Sequence, residues 1–127
     1  MRRFQYPVLL TPAVEGGYVA TCRDLPPLVT QGEDEKDALA QAADAMDEVF
    51  ATCMIEGIEF PEPTKTRRRE RLVAPPAETV AKATLYVAMR EAGISKTQLA
   101  KQLGLDEKEV RRLLDPLPTL PLDRESA

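Results

Sequence analysis

The chain of 127 residues contains no histidine and no tryptophan, and only two cysteines. Histidine is the commonest general base in enzymes and a usual zinc ligand, so its absence lowers the expectation of catalysis or of a zinc site. Cys22 and Cys53 do not have the spacing of a metal site or of a disulfide framework. Because both lie in apolar stretches, we expect buried free thiols. The sequence gives no reason to expect a cofactor.

Long hydrophobic runs are also missing. The first seven residues, Met1-Arg-Arg-Phe-Gln-Tyr-Pro7, lack the apolar core of a signal peptide. No run of apolar residues is long enough to cross a bilayer. We therefore expect a cytoplasmic protein that does not enter the membrane.

Charge is distributed unevenly along the chain, although the formal net charge is only −4. Residues 1–63 carry 4 basic and 12 acidic side chains, a net charge of −8. Residues 64–127 carry 13 basic and 9 acidic side chains, a net charge of +4. An acidic first half and a basic second half indicate two tasks, one towards a cationic partner and one towards phosphate.

The first half predicts a small antiparallel sheet covered by one long helix, an α+β arrangement. Strand-like runs occupy residues 4–11, 18–22 and 28–31, and Pro7 favours an edge position or a bulge in the first of them. A helix is predicted from a cap near Asp34 to about Glu56, with Gly57 past its end. Its apolar residues recur at helical spacing and form one stripe that can cover the sheet. This stripe consists of Leu39, Ala42, Ala43, Met46, Val49, Phe50 and Cys53.

Segment 61–70 is rich in proline and arginine and marks a boundary. It can be interpreted as a solvated, flexible linker or as a segment that makes non-specific contacts to phosphate, and the sequence favours neither. Residues 71–74 can return to the sheet as a fourth strand, so that the first domain spans residues 1–74. A helix is predicted from Ala77 to about Ala92, with Gly93 closing it. Its apolar side, predicted to pack against the helices that follow, consists of Val80, Ala81, Thr84, Leu85, Val87 and Ala88.

Residues 95–114 predict two short helices, each with a capping signal at its start. Ser95 can cap the first helix, and Gln98 three residues later completes a capping box. Asp106 and Glu109 repeat this scheme at the second helix. Between the two helices, Gly104 permits the positive φ that ends a helix abruptly.

The apolar residues of this stretch predict that the two helices lock together. Ala100 is small at the position where two crossing helices come closest, and Ile94 is expected to pack on Leu99 and Leu105 on Val110. The positions that hold the pair are Leu99, Leu103, Leu105, Val110 and Leu113. This pattern predicts a helix-turn-helix within an all-α domain of residues 77–115, and the alternative is an ordinary helical hairpin.

The second of these helices has the side-chain distribution of a recognition helix. At about 100° per residue, Lys108, Arg111 and Arg112 fall within one arc, opposite Val110 and Leu113. A recognition helix needs cations towards the major groove and aliphatic side chains inward. Arg111 and Arg112 can each reach a guanine or settle on a phosphate. The alternative is a solvated charged face.

Two polar residues complete the predicted DNA-binding surface. Thr97 and Gln98, near the start of the first helix, can reach backbone phosphates. Glu107 is unexplained, since it can either accept a hydrogen bond from a cytosine amino group or face solvent.

Four short motifs stand in order in the first half: Tyr6-Pro-Val-x-Leu-x-Pro12, Glu15-Gly-Gly-Tyr18, Asp24-Leu-Pro26 and Thr30-Gln-Gly32. Together with the long helix and the C-terminal helix-turn-helix, this order resembles HicB antitoxins over residues 4 to about 115. The resemblance implies a partial ribonuclease-H-like fold for the first domain, which would bind a small basic, mRNA-cleaving toxin of the HicA type and block its active site. It also implies that the second domain binds operator DNA and represses its own operon. Which residues touch the toxin is unknown from the sequence.

The sequence departs from this family at its end. Many members continue past the helix-turn-helix with helices that help it to dimerise, whereas residues 116–127 here form a proline-broken tail that we expect to be poorly ordered. A homodimer or higher homo-oligomer is still expected, because a single helix-turn-helix buries little DNA surface. The sheet edge or helix 77–92 would then carry more of the dimer contacts.

Two other functions remain open from the sequence. One is a helix-turn-helix transcriptional regulator whose N-terminal domain senses a ligand or a protein. The other is a nuclease, which would need clustered carboxylates to hold two metal ions. The first predicted strand contains no acid, and no convergent set is predicted among the carboxylates of Asp24, Asp44, Asp47 and Glu48. We therefore expect no enzymatic activity.

Overall fold

The computed structural model describes residues 4–114, which form a mixed α+β fold. The strands are β1 (Tyr6–Pro12), β2 (Tyr18–Thr21), β3 (Val29–Gly32) and β4 (Glu70–Val73). The helices are α1 (Glu35–Glu56), α2 (Ala77–Ala92), α3 (Lys96–Leu103) and α4 (Glu107–Leu114). None of these helices is long and apolar enough to span a bilayer. The tail predicted for residues 116–127 lies outside the described residues.

The four strands form one antiparallel sheet in the order β3-β2-β1-β4. The predicted fourth strand is confirmed: β4 pairs with β1, with Val73 opposite Tyr6 and Glu70 opposite Leu9. Residues on either side of the arginine-rich segment therefore belong to the same sheet.

For Pro7 the sequence predicts an edge position or a bulge, and the edge strand is wrong because β1 is central in the sheet. The reason is that β4 takes the side of β1 that the first three strands leave open. The β2 ladder, however, covers only Leu9 to Pro12. At Pro7 the strand has no β2 partner, so the missing N–H of proline costs no hydrogen bond on that side.

Helix α1 covers one face of the sheet, as its apolar stripe predicts. The side chain of Asp34 accepts a hydrogen bond from the N–H of Asp37 at 2.7 Å, and Gly57 ends the helix with a φ of 69°. Leu39, Ala43 and Val49 are partly buried and pack at the edge of the core. The fully buried members of the stripe are Ala42, Met46, Phe50 and Cys53.

An aromatic cluster forms the centre of this core. The rings of Phe50 and Phe60 stack with their centres 4.7 Å apart. Phe4 meets both of them edge-on at 5.6 Å, and Tyr86 from α2 meets Phe60 at 5.5 Å. Tyr6 completes the cluster, with its ring centre 6.0 Å from that of Phe50. These contacts connect the start of the sheet, α1, the segment after α1, and α2.

Helix α2 packs against two clusters instead of one. The core between the sheet and α1 includes Val80, Ala83 and Val87. The second cluster, with α3 and α4, includes Leu85 and Met89. The prediction that a single apolar side of α2 faces the helix pair is therefore wrong for most of its residues. Helical periodicity reports that a side is apolar, but not which of two neighbours covers it. Of the predicted side, the residues exposed to solvent are Ala81, Thr84 and Ala88.

Gly32 lies where β3 approaches the first turn of α1. A Cβ atom at this position would lie 2.3 Å from the backbone N of Ala38 and 2.5 Å from its Cα. Real Cβ atoms do not come so close to backbone atoms, and neither the strand nor the helix can move aside alone. The close packing of α1 on the sheet therefore requires glycine here.

We predict that Gly32→Ala lowers the free energy of unfolding by about 3 kcal/mol, because the added methyl group forces β3 and α1 apart. Gly93→Ala is the control. Gly93 has a φ of 67° but open space around its Cα, so alanine there should cost only about 1 kcal/mol of backbone strain. Urea unfolding of both variants provides the measurement. If both variants lost the same free energy of unfolding, the close approach of Gly32 to α1 would not explain the loss.

Candidate partner-binding and nucleic-acid-binding surfaces

The C-terminal helix pair, α3 and α4, is joined by a turn in which Gly104 has a φ of 68°. The N–H of Leu105 donates to the carbonyl of Ala100 at 2.9 Å, which satisfies the end of α3. At the start of α3, Ser95 Oγ accepts from the N–H of Gln98 at 3.2 Å, and Gln98 Oε1 accepts from the N–H of Ser95 at 2.8 Å. The predicted capping box of the first helix is confirmed.

Helix α4 begins with a simpler cap. Asp106 Oδ1 accepts from the N–H of Lys108 at 2.9 Å, so Asp106 caps the helix as predicted. The N–H of Glu109 instead donates to the backbone carbonyl of Asp106 at 3.0 Å. Within residues 4–114, the Glu109 side chain makes no return bond to Asp106. The second capping box is therefore wrong, because the Asp106 side chain takes the second amide of the helix instead of the third.

The helix pair is held by a small core that α2 completes. Leu99, Ala100 and Val110 are buried, and Ile94 packs beside them, as predicted. The prediction for two leucines is wrong, because Leu103 is 50% exposed and Leu105 is 37% exposed. The physical reason is that α2 supplies the side chains that cover this core. These are Leu85 and Met89. The structure does not describe the side chain of Leu113.

The basic side of α4 has the geometry that its sequence predicts. Lys108, Arg111 and Arg112 are exposed, whereas Val110 is only 1% exposed and faces the core. Positions three and four apart lie on one side of a helix, so the three cations share a surface. This arrangement suits a contact with the phosphates or base edges of DNA.

The polar residues at the start of α3 are also at the surface. Thr97 and Gln98 are both exposed. Because Gln98 Oε1 is used in the cap, its NH₂ group is the part that suits a phosphate oxygen. All five residues that are predicted to contact DNA thus lie on the exposed surface of the helix pair. The structure does not describe the side chain of Glu107.

Segment 61–70 is tied to the sheet at several points. The guanidinium of Arg23, just after β2, binds Glu70 in a bidentate pair, with N···O distances of 2.9 and 3.0 Å. The same guanidinium donates to the carbonyl of Lys65 at 2.7 Å, and Asp24 accepts from the N–H of Thr64 at 2.9 Å. The interpretation as a flexible linker is therefore wrong for residues 64–70. The sequence alone could not reveal these contacts, because they join residues about 40 positions apart.

The three arginines of this segment stand on a tight turn. The N–H of Glu70 donates to the carbonyl of Arg67 at 3.1 Å, and Arg69 has a φ of 77°. Arg67, Arg68 and Arg69 are exposed. A contact between this turn and phosphate stays a prediction, now from a fixed position on the sheet.

A groove of about 470 Å³ lies on the acidic half, between the second half of α1, the loop after β2 and the segment after α1. We call it the acidic groove. Four carboxylates line it: Asp24, Glu48, Glu56 and Glu59. No lysine or arginine is among its lining residues. Its apolar wall includes Leu25, Pro26, Pro27, Val49, Ile58 and Pro61.

The two cysteines are free and buried, as predicted. Burial raises the pKa of both the Cys22 and the Cys53 thiol, which keeps them protonated at neutral pH. Among the side chains described for residues 4–114, no group of three or more cysteines and carboxylates comes close enough to hold a metal ion.

Comparison with known proteins agrees with these features. A family model described as "HicB_like antitoxin of bacterial toxin-antitoxin system" matches residues 5–84. Antitoxin HicB of Escherichia coli strain K12 is 32% identical over 111 residues, which cover 87% of this chain and 80% of that protein. Antitoxin HicB 1 of Photorhabdus laumondii is 29% identical over 115 residues, which cover 91% and 73% of the two chains.

The Arg23–Glu70 ion pair lies within the matched range. This pair makes the stability of the fold depend on pH. The Arg23 guanidinium, and after it the N–H of Arg67, hold the pKa of the Glu70 carboxyl below its usual range. A carboxyl whose pKa is lower in the folded state stabilises the fold at neutral pH, and this stabilisation is lost as the pH falls through the folded pKa.

We predict that Glu70→Gln lowers Tm at pH 7, and that its difference from the wild type shrinks below the ordinary glutamate pKa of about 4.3. Glu91→Gln is the control, because the Glu91 carboxylate makes no ion pair among residues 4–114. Thermal unfolding across this pH range provides the measurement. If the difference in Tm between Glu70→Gln and the wild type stayed constant from pH 7 to below about pH 4.3, Glu70 would act through its shape and not through its charge.

Proposed function

This chain belongs to the HicB-like family of bacterial antitoxins, and we propose that it binds and neutralises a small basic, mRNA-cleaving toxin of the HicA type. We further propose that it binds operator DNA through a C-terminal helix-turn-helix, formed by α3 and α4, and so represses its own operon in the cytoplasm. In this proposal it is a binding protein and not an enzyme. The observation that carries it is the separation of an acidic groove from a basic helix surface on one chain.

Charge supports the assignment of the toxin to the first half. A toxin that grips RNA must present a basic surface, and residues 1–63 carry a net charge of −8. Complementary charge speeds association, and apolar contacts then slow dissociation. The acidic groove combines both properties, because carboxylates stand around an apolar wall.

The helix pair supports the DNA-binding part of the proposal. Lys108, Arg111 and Arg112 lie on one exposed side of α4, and Thr97 and Gln98 lie at the exposed start of α3. This distribution suits a helix that enters the major groove while its neighbour contacts the backbone. We propose that the protein acts on DNA as a homodimer or higher homo-oligomer, with half-sites about one helical turn apart.

Helix α2 matters for both proposed tasks, because it packs against the sheet core and against the helix pair. The hydroxyl of Tyr86 donates to the carbonyl of Ile58 at 3.3 Å, and Arg90 Nη1 donates to the carbonyl of Gly57 at 2.9 Å. These bonds fix α2 to the end of α1. The sequence predicts a division into domains at residue 74, and we propose instead that α2 belongs with the first domain.

The adjoining reading frame offers the direct test of the proposed partner. Its product should be small and basic, should stop growth when expressed alone, and should co-purify with this protein. A neighbouring product that neither stops growth nor co-purifies would favour the alternative, a regulator that senses another ligand. Cleavage of RNA or DNA by the purified chain with Mg²⁺ or Mn²⁺ would contradict the proposal that it has no activity of its own.

We predict that Arg111→Ala combined with Arg112→Ala weakens binding to a duplex from its own promoter at least thirtyfold, as loss of two arginine contacts of about 1–3 kcal/mol each requires. Toxin neutralisation should be unchanged, because the acidic groove lies on other elements. Electrophoretic mobility shift and a growth-rescue assay provide the two readouts. Lys36→Ala combined with Arg71→Ala removes the same charge from exposed positions of α1 and β4 and serves as the control, with operator binding within about twofold of the wild type. Loss of both functions in a folded Arg111/Arg112 variant would contradict separate surfaces.

We predict that residues 1–93 bind the toxin with the affinity of the full chain, whereas residues 1–74 do not form a stable domain. The shorter fragment lacks Thr79 and Ala83, which are 5% and 0% exposed and fill the core over α1. It also lacks Tyr86, which closes the aromatic cluster. Circular dichroism and calorimetric titration with the toxin test both fragments. A folded 1–74 fragment with full affinity would show that α2 is dispensable.

A further inference from the structure

We infer that the acidic groove is the anchor site for a basic segment of the toxin, which inserts the aliphatic stem of a lysine or arginine between α1 and the loop after β2. This inference rests on the proposed toxin binding and adds the location and the chemistry of the contact. Three observations support it: the groove has an apolar wall, it is lined by carboxylates, and its negative charge disfavours two other occupants.

The groove is large enough to hold side chains of a partner. Its volume is about 470 Å³, and its wall includes the apolar side chains of Leu25, Val49 and Ile58. Exposed apolar surface continues beside it, because Ile55 is 59% exposed and Ile58 is 47% exposed. Ile55 follows Thr52 by three residues on α1 and so lies on the same side of the helix. Apolar surface of this kind needs a partner that can bury it.

The carboxylates of the groove are available for such a partner. Asp24 is used within the chain, since it accepts from Thr64 and lies 3.5 Å from Arg23. By contrast, Glu48, Glu56 and Glu59 make no side-chain ion pair among residues 4–114. Lysine and arginine bury their methylene stems along apolar surface and keep their charged ends near the rim. The groove offers both parts of that contact.

Two other occupants are disfavoured by charge. Residues 115–127 of the chain carry three acidic side chains and one basic side chain, so the four groove carboxylates repel them. A second copy of the acidic half is repelled in the same way. The cationic candidates within a second copy are the turn at Arg67–Arg69 and the basic side of α4, and a change of oligomeric state would distinguish either of them from the toxin.

A larger cleft at the other end of α1 has a more polar lining. It has a volume of about 680 Å³ and lies between the hairpin turn after β1 and the first turn of α1. Glu15, Glu33 and Asp37 line it, but the Asp37 carboxylate already accepts from the N–H of Glu33 at 2.8 Å. Glycines at positions 16, 17 and 32 make up much of the remaining lining. This cleft gives a matched location for control substitutions.

The first test fills the groove without changing its charge. Thr52 lines the groove at an exposed position of α1, and its hydroxyl donates to the carbonyl of Glu48 at 3.1 Å. Thr84 on α2 is equally exposed and makes the same bond to the carbonyl of Val80 at 2.8 Å. We expect Thr52→Trp to weaken binding of the toxin from the adjoining reading frame at least tenfold, and Thr84→Trp to leave it within about twofold, because only the first indole occupies the anchor site. Calorimetric titration measures both, after circular dichroism has shown that both are folded.

The second test reverses charge. Glu48→Lys combined with Glu56→Lys should weaken toxin binding at least tenfold, mainly through slower association, and the loss should shrink at high salt. Asp44→Lys combined with Glu15→Lys changes the net charge equally but lies outside the groove, and it should have a smaller effect. Stopped-flow or surface-plasmon measurements separate the association rate from the dissociation rate.

The outcomes separate this inference from the proposed function. If the wild type does not bind the toxin, both fail. If the wild type binds and the groove variants bind equally well, the toxin is bound elsewhere and the inference alone is overturned. If Glu48→Lys/Glu56→Lys instead dissociates a homodimer, detected by light scattering, while toxin binding persists, the occupant is a cationic surface of a second copy and the inference is again overturned.

Discussion

The contact between aromatic rings of β1, α1 and α2 is the interaction on which the rest of this structure depends. The chain has three phenylalanines and three tyrosines, and all of them except Tyr18 meet in this cluster. Phe60 lies at its centre and is only 2% exposed, because Phe50 stacks on one side of its ring and Tyr86 meets it at an edge. A small core with few aromatic residues gains most of its packing where they are concentrated.

The position of Phe60 determines where both proposed binding surfaces lie. Because this ring is held in the core, the segment before it returns across the end of α1, and Ile58 and Glu59 become part of the acidic groove. The same cluster fixes α2 through Tyr86, and α2 in turn supplies Leu85 and Met89 to the core of α3 and α4. The groove and the basic helix surface thus depend on one set of aromatic contacts, although they use different side chains.

Local signals in the sequence were sufficient to predict most of the helices and strands. The Asp34 cap, Gly57, Gly93 and the Ser95–Gln98 box mark helix ends, because the hydrogen bonds involved lie within a few residues of each other. The amphipathic stripe of α1 also predicts its buried face, since the sheet is the one large apolar surface nearby. For the same reason, the exposed positions of Lys108, Arg111 and Arg112 follow from helical periodicity alone.

Apart from the cap of α4, where the Asp106 side chain takes the second amide of the helix, the features that the sequence did not predict depend on contacts between distant residues. The exposure of Leu103 and Leu105 follows from α2 occupying the core that they were expected to fill. The fixed position of segment 61–70 follows from Arg23 and Asp24, about 40 residues away. The acidic groove could not be seen in the sequence, because its wall combines a loop, one side of α1 and the segment after it. The acids of α1 were the only signal, and alone they are equally typical of a solvated face.

Hydrogen–deuterium exchange on the full chain, alone, with toxin and with operator DNA, tests most directly the claim that this antitoxin has two separate binding surfaces. With toxin, we expect slower exchange in residues 24–28 and 48–61 and little change in residues 96–114. With operator DNA, we expect the reverse pattern. Protection of residues 96–114 by the toxin, with no change around the acidic groove, would contradict the account.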